Sequence, residues 1–524
     1  MSRILNVHSS SSSESQLPEV QIEDSQTVVI FGGTGDLTRR KLLPALFAME
    51  AEGRLPESLR IVAFGRREYT NESFREEMKD EVTKFRRIEG EKGDLDRFIE
   101  RVDYFKGNLD EEDSFVRLGE ELSEADKYPP NRVFYLSIAP SFFETVVTLL
   151  KKGKLLHRPS AESWSRVVIE KPFGRDLKSA HALNIEILKI LDESQVYRID
   201  HYLGKETVQN IMSFRFANTI FEPIFNNQFV EHIQVTASET VGMESGRGAY
   251  FDTAGSMRDM MQNHILQLLC LVTMEPPSGL ASDAIRNEKL KVLQSIRVPE
   301  LDDVRKNVVR AQYAAGQVNG EGVPAYVNED RVPGDSRTET YVATKFYIDN
   351  WRWSGVPIYL RTGKRMEKKQ TSITVQFKKP PMELFRTVEC EDDVCDLTEA
   401  RANVLTFRIQ PDEGISLHFA TKRPSMHMVV EDSELDFDYA ENHDGSLPEA
   451  YERLLLDVMR GDSTLFMRSD EVEAAWRIMD PILKAWHQRD QRIPMHFYSP
   501  GTWGPLAADE LFEDEVGQWD NPEE

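Results

Sequence analysis

With 524 residues and a mass of 60.2 kDa, the chain is several times the ~150 residues of a typical domain, so two or more large domains are expected. Its 64 Lys and Arg stand against 89 Asp and Glu, a net charge of −25 and a pI near 5.0, which excludes general affinity for nucleic acid or anionic membranes. An anionic ligand must therefore be held by a local basic cluster. Cys270, Cys390 and Cys395 are the three cysteines and form no CxxC pair, so neither a disulfide framework nor a metal site is expected, and a reducing cytoplasm is the simplest home. The longest apolar stretch, 265–274, is interrupted by Gln267 and falls well short of the roughly twenty residues of a membrane span.

Residues 1–25 carry a serine run and no apolar stretch of signal-peptide length, and read as a flexible tail. From Thr27 the pattern changes. The apolar run TVVIF ends in GGTGDL and is followed by the helix-compatible TRRKLLPALFAMEAEG, which together read as strand, glycine turn and helix. Buried-strand runs recur at RIVAF (60–64), RVFYLSI (132–138), RVVIE (166–170) and VYRID (196–200), separated by charged, helix-compatible segments. Alternation of this kind predicts a parallel doubly wound sheet, a Rossmann-type dinucleotide-binding domain over 26–202. Past residue 203 the texture shifts. One helix-compatible segment, GKETVQNIMSFRFAN, leads into successive strands at 231–239, 340–348, 357–363, 371–378, 403–410 and 415–421, which predict an α+β domain over 203–505 built on a large, mainly antiparallel sheet. The end, 506–524, is acidic and poor in apolar residues and reads as a solvated tail.

GGTGDL supplies Gly32, Gly33, Thr34, Gly35, Asp36 and Leu37 between a strand and a helix, where backbone N–H groups can face a pyrophosphate. The spacing is not GxGxxG, so an ordinary glycine turn is the competing reading. Arg39, Arg40 and Lys41 follow at the helix start, where cations oppose the macrodipole unless an anion binds. They are either a phosphate-facing cluster or a solvated basic face. The second strand ends in Gly65-Arg66-Arg67, where an NAD site would carry an Asp or Glu for the ribose hydroxyl and an Arg suits a 2′-phosphate. NADP is therefore the expected cofactor, with Arg66 its principal contact.

Three segments belong together: IEKPFG (169–174), RIDHYLGKE (198–206) and RDMMQNHILQ (258–267). The first two lie at the carboxyl ends of predicted parallel strands, where open α/β sheets bind ligands. Asp200, His201, Tyr202 and Lys205 surround a helix start, a competent phosphate site.

RIDHYLGKE closely resembles the signature segment of the glucose-6-phosphate dehydrogenase family, and GGTGDL, EKPFGRDL, FRFAN, RGAYFD, RDMMQNH and GVPIYLRTGK resemble its other characteristic segments in the same order. The resemblance implies oxidation of C1 of glucose 6-phosphate to 6-phosphogluconolactone, with NADP as hydride acceptor, in the oxidative pentose phosphate pathway. It also implies a homodimer or homotetramer. It makes His264 the general base and Asp200 the carboxylate behind it, and gives Lys171 contact with substrate and cofactor at the reacting end. The Lys171–Pro172 bond is a candidate for the cis form. His201, Tyr202 and Lys205 would hold the phosphate, with Lys364 reaching in from 361–369, where five basic residues face one Glu. Glu239 and Asp259 would bond the sugar hydroxyls.

Two departures stand out. MESGRG carries one residue more than the common family spacing between Glu239 and Arg247, and Lys369 replaces a frequent Arg, keeping the charge but losing the bidentate fork. Asp259 and His264 are five residues apart, about 140° around an ideal α-helix, so both reach one ligand only if that helix departs from regularity. A dehydrogenase of a non-phosphorylated sugar would not need His201, Lys205 and Lys364, and a non-catalytic cofactor-binding subunit would not need Asp200 with His264.

Overall fold

The computed structural model describes residues 3–6, 21–157, 162–243, 246–318, 320–382, 384–385, 387–391, 394–398, 401–424, 426, 428–442, 447–488, 492–512 and 517–522. The strands Gln26–Phe31, Arg60–Gly65, Val102–Lys106, Asn131–Leu136, Ser165–Ile169 and Val196–Ile199 form a parallel sheet. Numbered along the chain, their spatial order is 3-2-1-4-5-6, the dinucleotide-binding order. Gln26–Phe31 is buried at every position, because helices cover both faces and a central parallel strand has no wet side. The expected Rossmann domain is present.

The second sheet has ten strands. Six neighbouring pairs are antiparallel and three are parallel, among them Pro357–Gly363 beside Val230–Ser238, so the expectation of a mainly antiparallel sheet holds. Its register decides what can meet. Ser238 pairs with both Gly363 and Gln370, and Thr371 pairs with Gln410. Glu239, Lys364, Lys369, Thr371 and Gln410 therefore lie at one end of four adjacent strands.

Three expectations need correction. The boundary near 202 does not separate the chain cleanly, because Phe466–Met467 pairs antiparallel with Val196–Ile199 and completes the first sheet as a seventh strand. The helices Ala450–Arg460 and Ser469–His487 also pack on the dinucleotide domain, against the helices Leu43–Ala51 and Leu177–Leu188 respectively.

The N-terminal segment is not wholly a loose tail. Arg3–Asn6 pairs in parallel with Val430–Asp438 at the edge of the large sheet, and Ile22 is buried in the main core; the serine run lies outside the described residues. The acidic C-terminus is packed as well. Ala508, Leu511 and Trp519 enter a second core on Tyr341 and Tyr359. Asp520 N–H donates to Gln234 Oε1 (2.8 Å), and its carboxylate accepts from Thr374 Oγ1 (2.5 Å). A few aromatic and aliphatic side chains suffice to dock a segment whose average composition is acidic, because its carboxylates point to donors or to water.

Candidate active site

Gly32 and Gly33 show why the loop needs glycine. Gly32 has φ +82°, and a Cβ there would lie 2.0 Å from the Ser137 carbonyl oxygen; one on Gly33 would lie 2.6 Å from the Ala63 Cβ. The chain can therefore pass against the sheet only without side chains, which leaves its N–H groups open to a pyrophosphate. Thr38 Oγ1 closes the turn on the Gly32 carbonyl (3.0 Å), and Thr38–Leu42 is π-helical. The residues present fit a dinucleotide. The basic trio is engaged by carboxylates: Arg39 pairs with Glu77 (2.5 Å), Arg40 with Asp36 (3.7 Å) and Lys41 with Glu449 (2.8 Å). Arg66 differs. It is exposed at the strand end, and Gly65 before it sits against the Thr34 methyl, so Arg66 flanks the loop, and among the described residues no carboxylate pairs with it.

At the carboxyl end of the same sheet, Asp200 and His264 are fully buried, with His264 Nδ1 2.5 Å from Asp200 Oδ1. Lys171 Nζ lies 2.8 Å from His264 Nε2 and also donates to the Asp259 carbonyl (2.9 Å) and carboxylate (3.3 Å). An ammonium has no lone pair, so Nε2 must be the acceptor and Nδ1 must carry the proton. That tautomer leaves a base directed at the cleft. Asp200 also accepts from Tyr202 N–H (3.0 Å). Burial works to raise the Asp200 carboxyl, but the charge and hydrogen bond of His264 prevail and hold it down to about 2. Burial pulls His264 below its ordinary value; Asp200 opposes this and Lys171 reinforces it, so the imidazole rests neutral. The Lys171–Pro172 bond is cis.

The helix question resolves through an irregularity that the residue pattern did not reveal. Met257–Ile265 is π-helical, followed by the α-helix Leu266–Thr273. In a π-helix residue i bonds i+5, so Asp259 and His264 come onto one face, and Lys171 touches both. Burial acts to raise the Asp259 carboxyl, yet Lys171, Lys364 and His264 together hold it well below the usual range.

Around this centre the expected residues separate into two groups. Tyr202 stacks on His264 with centroids 4.4 Å apart, and His201 meets the same ring edge-on at 4.6 Å. Tyr202 OH lies 3.3 Å from Thr371 Oγ1, and Lys205 Nζ donates to Gln410 Oε1 (2.8 Å). Lys205 is lowered by burial first, with Lys369 among the nearby cations that add to it; His201 is lowered by burial, then by His264 and Lys171.

Lys364 is elsewhere. It bonds Glu239 and approaches Asp259 (3.8 Å), so its expected place beside His201, Tyr202 and Lys205 is corrected: two carboxylates already claim its charge. Arg361, counted in the same basic segment, is buried on the far side. It is bonded to Thr236 Oγ1 (3.0 Å) and Asn521 Oδ1 (2.6 Å) and lies between the rings of Trp503 and Trp519. The strand alternates faces, so residues three apart point opposite ways. The MESGRG departure lies partly outside the described residues.

Five residues at the site, Gln410, Thr371, Glu170, Tyr135 and Tyr451, escaped the sequence reading. Gln410 joins Lys205, Thr371 (3.1 Å) and Tyr202 (3.4 Å). Glu170 accepts from Tyr135 OH (2.5 Å) and Tyr451 OH (3.2 Å). Gln410 is more than 200 positions from Tyr202 and Lys205, and Tyr451 from Glu170, and neither carries a local signal. Glu170 stood in view beside Lys171, without a partner to mark it.

Comparison with known proteins adds independent findings. Residues 29–210 match the family model described as glucose-6-phosphate dehydrogenase, NAD binding domain, and 212–520 match glucose-6-phosphate dehydrogenase, C-terminal domain. The glucose-6-phosphate 1-dehydrogenase of Chlamydia pneumoniae is 46% identical over 497 residues, covering 94% of this chain and 95% of that one. That of Bacillus subtilis is 42% identical, covering 94% and 98%. Among solved structures, a glucose-6-phosphate dehydrogenase in complex with its substrate glucose-6-phosphate superposes with a TM-score of 0.84 at 34% identity, covering 96% of this chain and 99% of that one. The Mycobacterium avium enzyme gives 0.79 at 32%, covering 95% and 98%.

Proposed function

Because the chain belongs to the glucose-6-phosphate dehydrogenase family and has its glucose-6-phosphate 1-dehydrogenase activity, we propose how its own residues divide the work. His264 Nε2 takes the proton of the C1 hydroxyl, and a dinucleotide held by the glycine loop would accept the hydride from C1. Asp200 holds the imidazole in the required tautomer and stabilises the imidazolium that forms. The observation that carries this reading is the chain Asp200–His264–Lys171, in which Nε2 is already an acceptor. Lys171 occupies the place of the incoming hydroxyl and, once displaced, remains beside the developing charge between substrate and cofactor. Glu239, Asp259 and Lys364 bond the sugar hydroxyls, since alternating carboxylates and an ammonium offer acceptors and donors at adjacent points. His201, Tyr202, Lys205 and Lys369 receive the phosphate. Lys205 is part-buried with the Lys369 ammonium nearby, at a cost to its own charge that a dianion offsets.

The cofactor is NADP, a reading supported by the exposed Arg66 beside the glycine loop and by Arg66 and Arg67, rather than an acid, directly following Gly65. The enzyme works in the cytoplasm as a homodimer or homotetramer. In support of the first, it has three cysteines, and no helix among the described residues is long and apolar enough to cross a membrane. In support of the second, the strands Val404–Gln410, Gly414–Lys422 and Val430–Asp438 keep a half-exposed face.

The test compares NADPH formation from glucose 6-phosphate and from free glucose in the wild type and in His264→Asn. Turnover is expected to be strongly selective for the phosphorylated sugar and to fall at least about 10²-fold in the variant with KM little changed. Equal rates on both sugars would refute the phosphate assignment, and near-normal turnover of the variant would refute the base.

A further inference from the structure

Three parts of the reacting end are held from one direction, by the chain segment 466–487. Phe466–Met467 pairs with the strand that leads into Asp200. The Trp476 indole donates to the Phe173 carbonyl (2.9 Å), two residues past Lys171. Between them on the helix Ser469–His487, Glu471 forms an ion pair with Lys289 (2.9 Å), and the Lys289 ammonium also donates to Gln267 Oε1 (2.9 Å). Gln267 stands one turn beyond His264, just inside the point where the π-helix Met257–Ile265 gives way to the α-helix Leu266–Thr273.

The ion pair is almost completely buried, at 1% and 0% exposure. Such a pair is a poor source of stability, since desolvating two charges offsets most of their attraction and apolar side chains of similar volume often serve as well or better. What it provides is direction. Gln267, Lys289 and Glu471 sit on three different helices, and the Lys289–Gln267 hydrogen bond, with the Glu471 charge behind it, sets rotation and height where apolar contact would leave slack. Moving the π-to-α change by one residue would turn the side chains on one side of it by roughly 20° relative to those on the other, enough to disturb the contact between His264 and Asp200.

We infer that the buried Lys289–Glu471 pair, acting through Gln267, is a positioning device for the general base: it locks the π-to-α junction so that His264 Nδ1 meets Asp200 and Nε2 faces the substrate. This rests on the reading of His264 given above.

The experiment separates positioning from stability. In the full-length enzyme, the triple variant Gln267→Leu, Lys289→Met, Glu471→Leu replaces the polar link with apolar side chains. Its unfolding midpoint is expected to match or exceed that of the wild type, while kcat falls about ten- to a hundredfold, the scale set by small misplacements of reacting groups. KM for both substrates should stay within about twofold, and the kinetic isotope effect with C1-deuterated glucose 6-phosphate should be at least that of the wild type, because the chemical step has become slower. A folded triple variant with wild-type kcat would overturn the inference. Should it not fold, Gln267→Leu alone leaves the ion pair intact and decides by the same readouts: a reduced kcat at unchanged stability supports the device, and a wild-type kcat overturns it. Wild-type turnover that survives His264→Asn would instead overturn the base assignment, and this inference with it.

Discussion

Asp200→Asn removes a charge while keeping size and shape. The carboxylate and imidazole are both fully buried and 2.5 Å apart at their nearest atoms, Asp200 Oδ2 has no hydrogen-bond partner among the described residues, and beside His264 the carboxylate bonds the Tyr202 N–H. Two unit charges about 4 Å apart, at an effective dielectric of about 20, attract by about 4 kcal/mol. At tenfold in rate per ~1.4 kcal/mol, the full loss is about 10³-fold. An amide oxygen that still accepts the Nδ1 hydrogen retains part of this, so kcat should fall between about 10²- and 10³-fold. KM for glucose 6-phosphate should change less than kcat, since the Asp200 carboxylate bonds the His264 ring and the backbone N–H of Tyr202 but no phosphate-binding side chain.

The pH profile carries a second sign. His264 must be neutral to act, so kcat/KM is lost as pH falls through its pKa, which burial sets below the ordinary value while Asp200 works to raise it. Removing Asp200 takes away that support, and the acid limb should move to lower pH. Steady-state NADPH formation across pH 5 to 9 measures both quantities. A plateau within about threefold of the wild type, or an acid limb moved upward, would refute the assignment of Asp200 as the carboxylate behind the base.

Three further changes test other parts of the site. Arg66→Ala should lower the ratio of kcat/KM for NADP over NAD by about tenfold or more, the size of one lost charge-assisted hydrogen bond; a constant ratio in paired cofactor titrations would mean another group reads the 2′-phosphate. Lys205→Met should raise KM for glucose 6-phosphate at least about tenfold while leaving KM for NADP unchanged, and the same rise with both ligands would place the defect in folding. Trp519→Ala should lower the midpoint of unfolding by removing a buried indole, a loss of about 3–5 kcal/mol, and by exposing the cation it covers, Arg361. An unchanged denaturant midpoint would show that the C-terminal segment contributes nothing to the large domain.

Much of the site was legible because its chemistry is carried by short contiguous segments. Gly32 to Leu37, Lys171 to Phe173 and Asp200 to Lys205 each occupy one strand-to-helix turn, and a turn at the carboxyl end of a parallel strand puts neighbours in sequence beside one ligand. The Rossmann domain was legible for a related reason, since strands buried on both faces appear as continuous apolar runs.

What the residues alone could not decide is what depends on register, on local helix geometry or on distant chain. Lys364 was assigned to the phosphate from its charge, but the alignment of Gly363 with Ser238 delivers it to Glu239, and register between strands more than 100 residues apart is a property of the assembled sheet. The 140° separation of Asp259 and His264 assumed an α-helix, whereas the packed neighbours select a π-helix whose i-to-i+5 bonds bring them together; no periodicity rule encodes that choice. The terminal segments were judged by average composition, yet docking is decided by a few side chains such as Trp519 finding a place among Tyr359, Phe512 and Arg361. The sequence by itself determined which reactive groups the protein has and the two sheets that carry them. Tertiary structure decided which of those groups meet, because burial and hydrogen bonding between remote segments depend on where the chain brings them, and residue type records only what each could do once there.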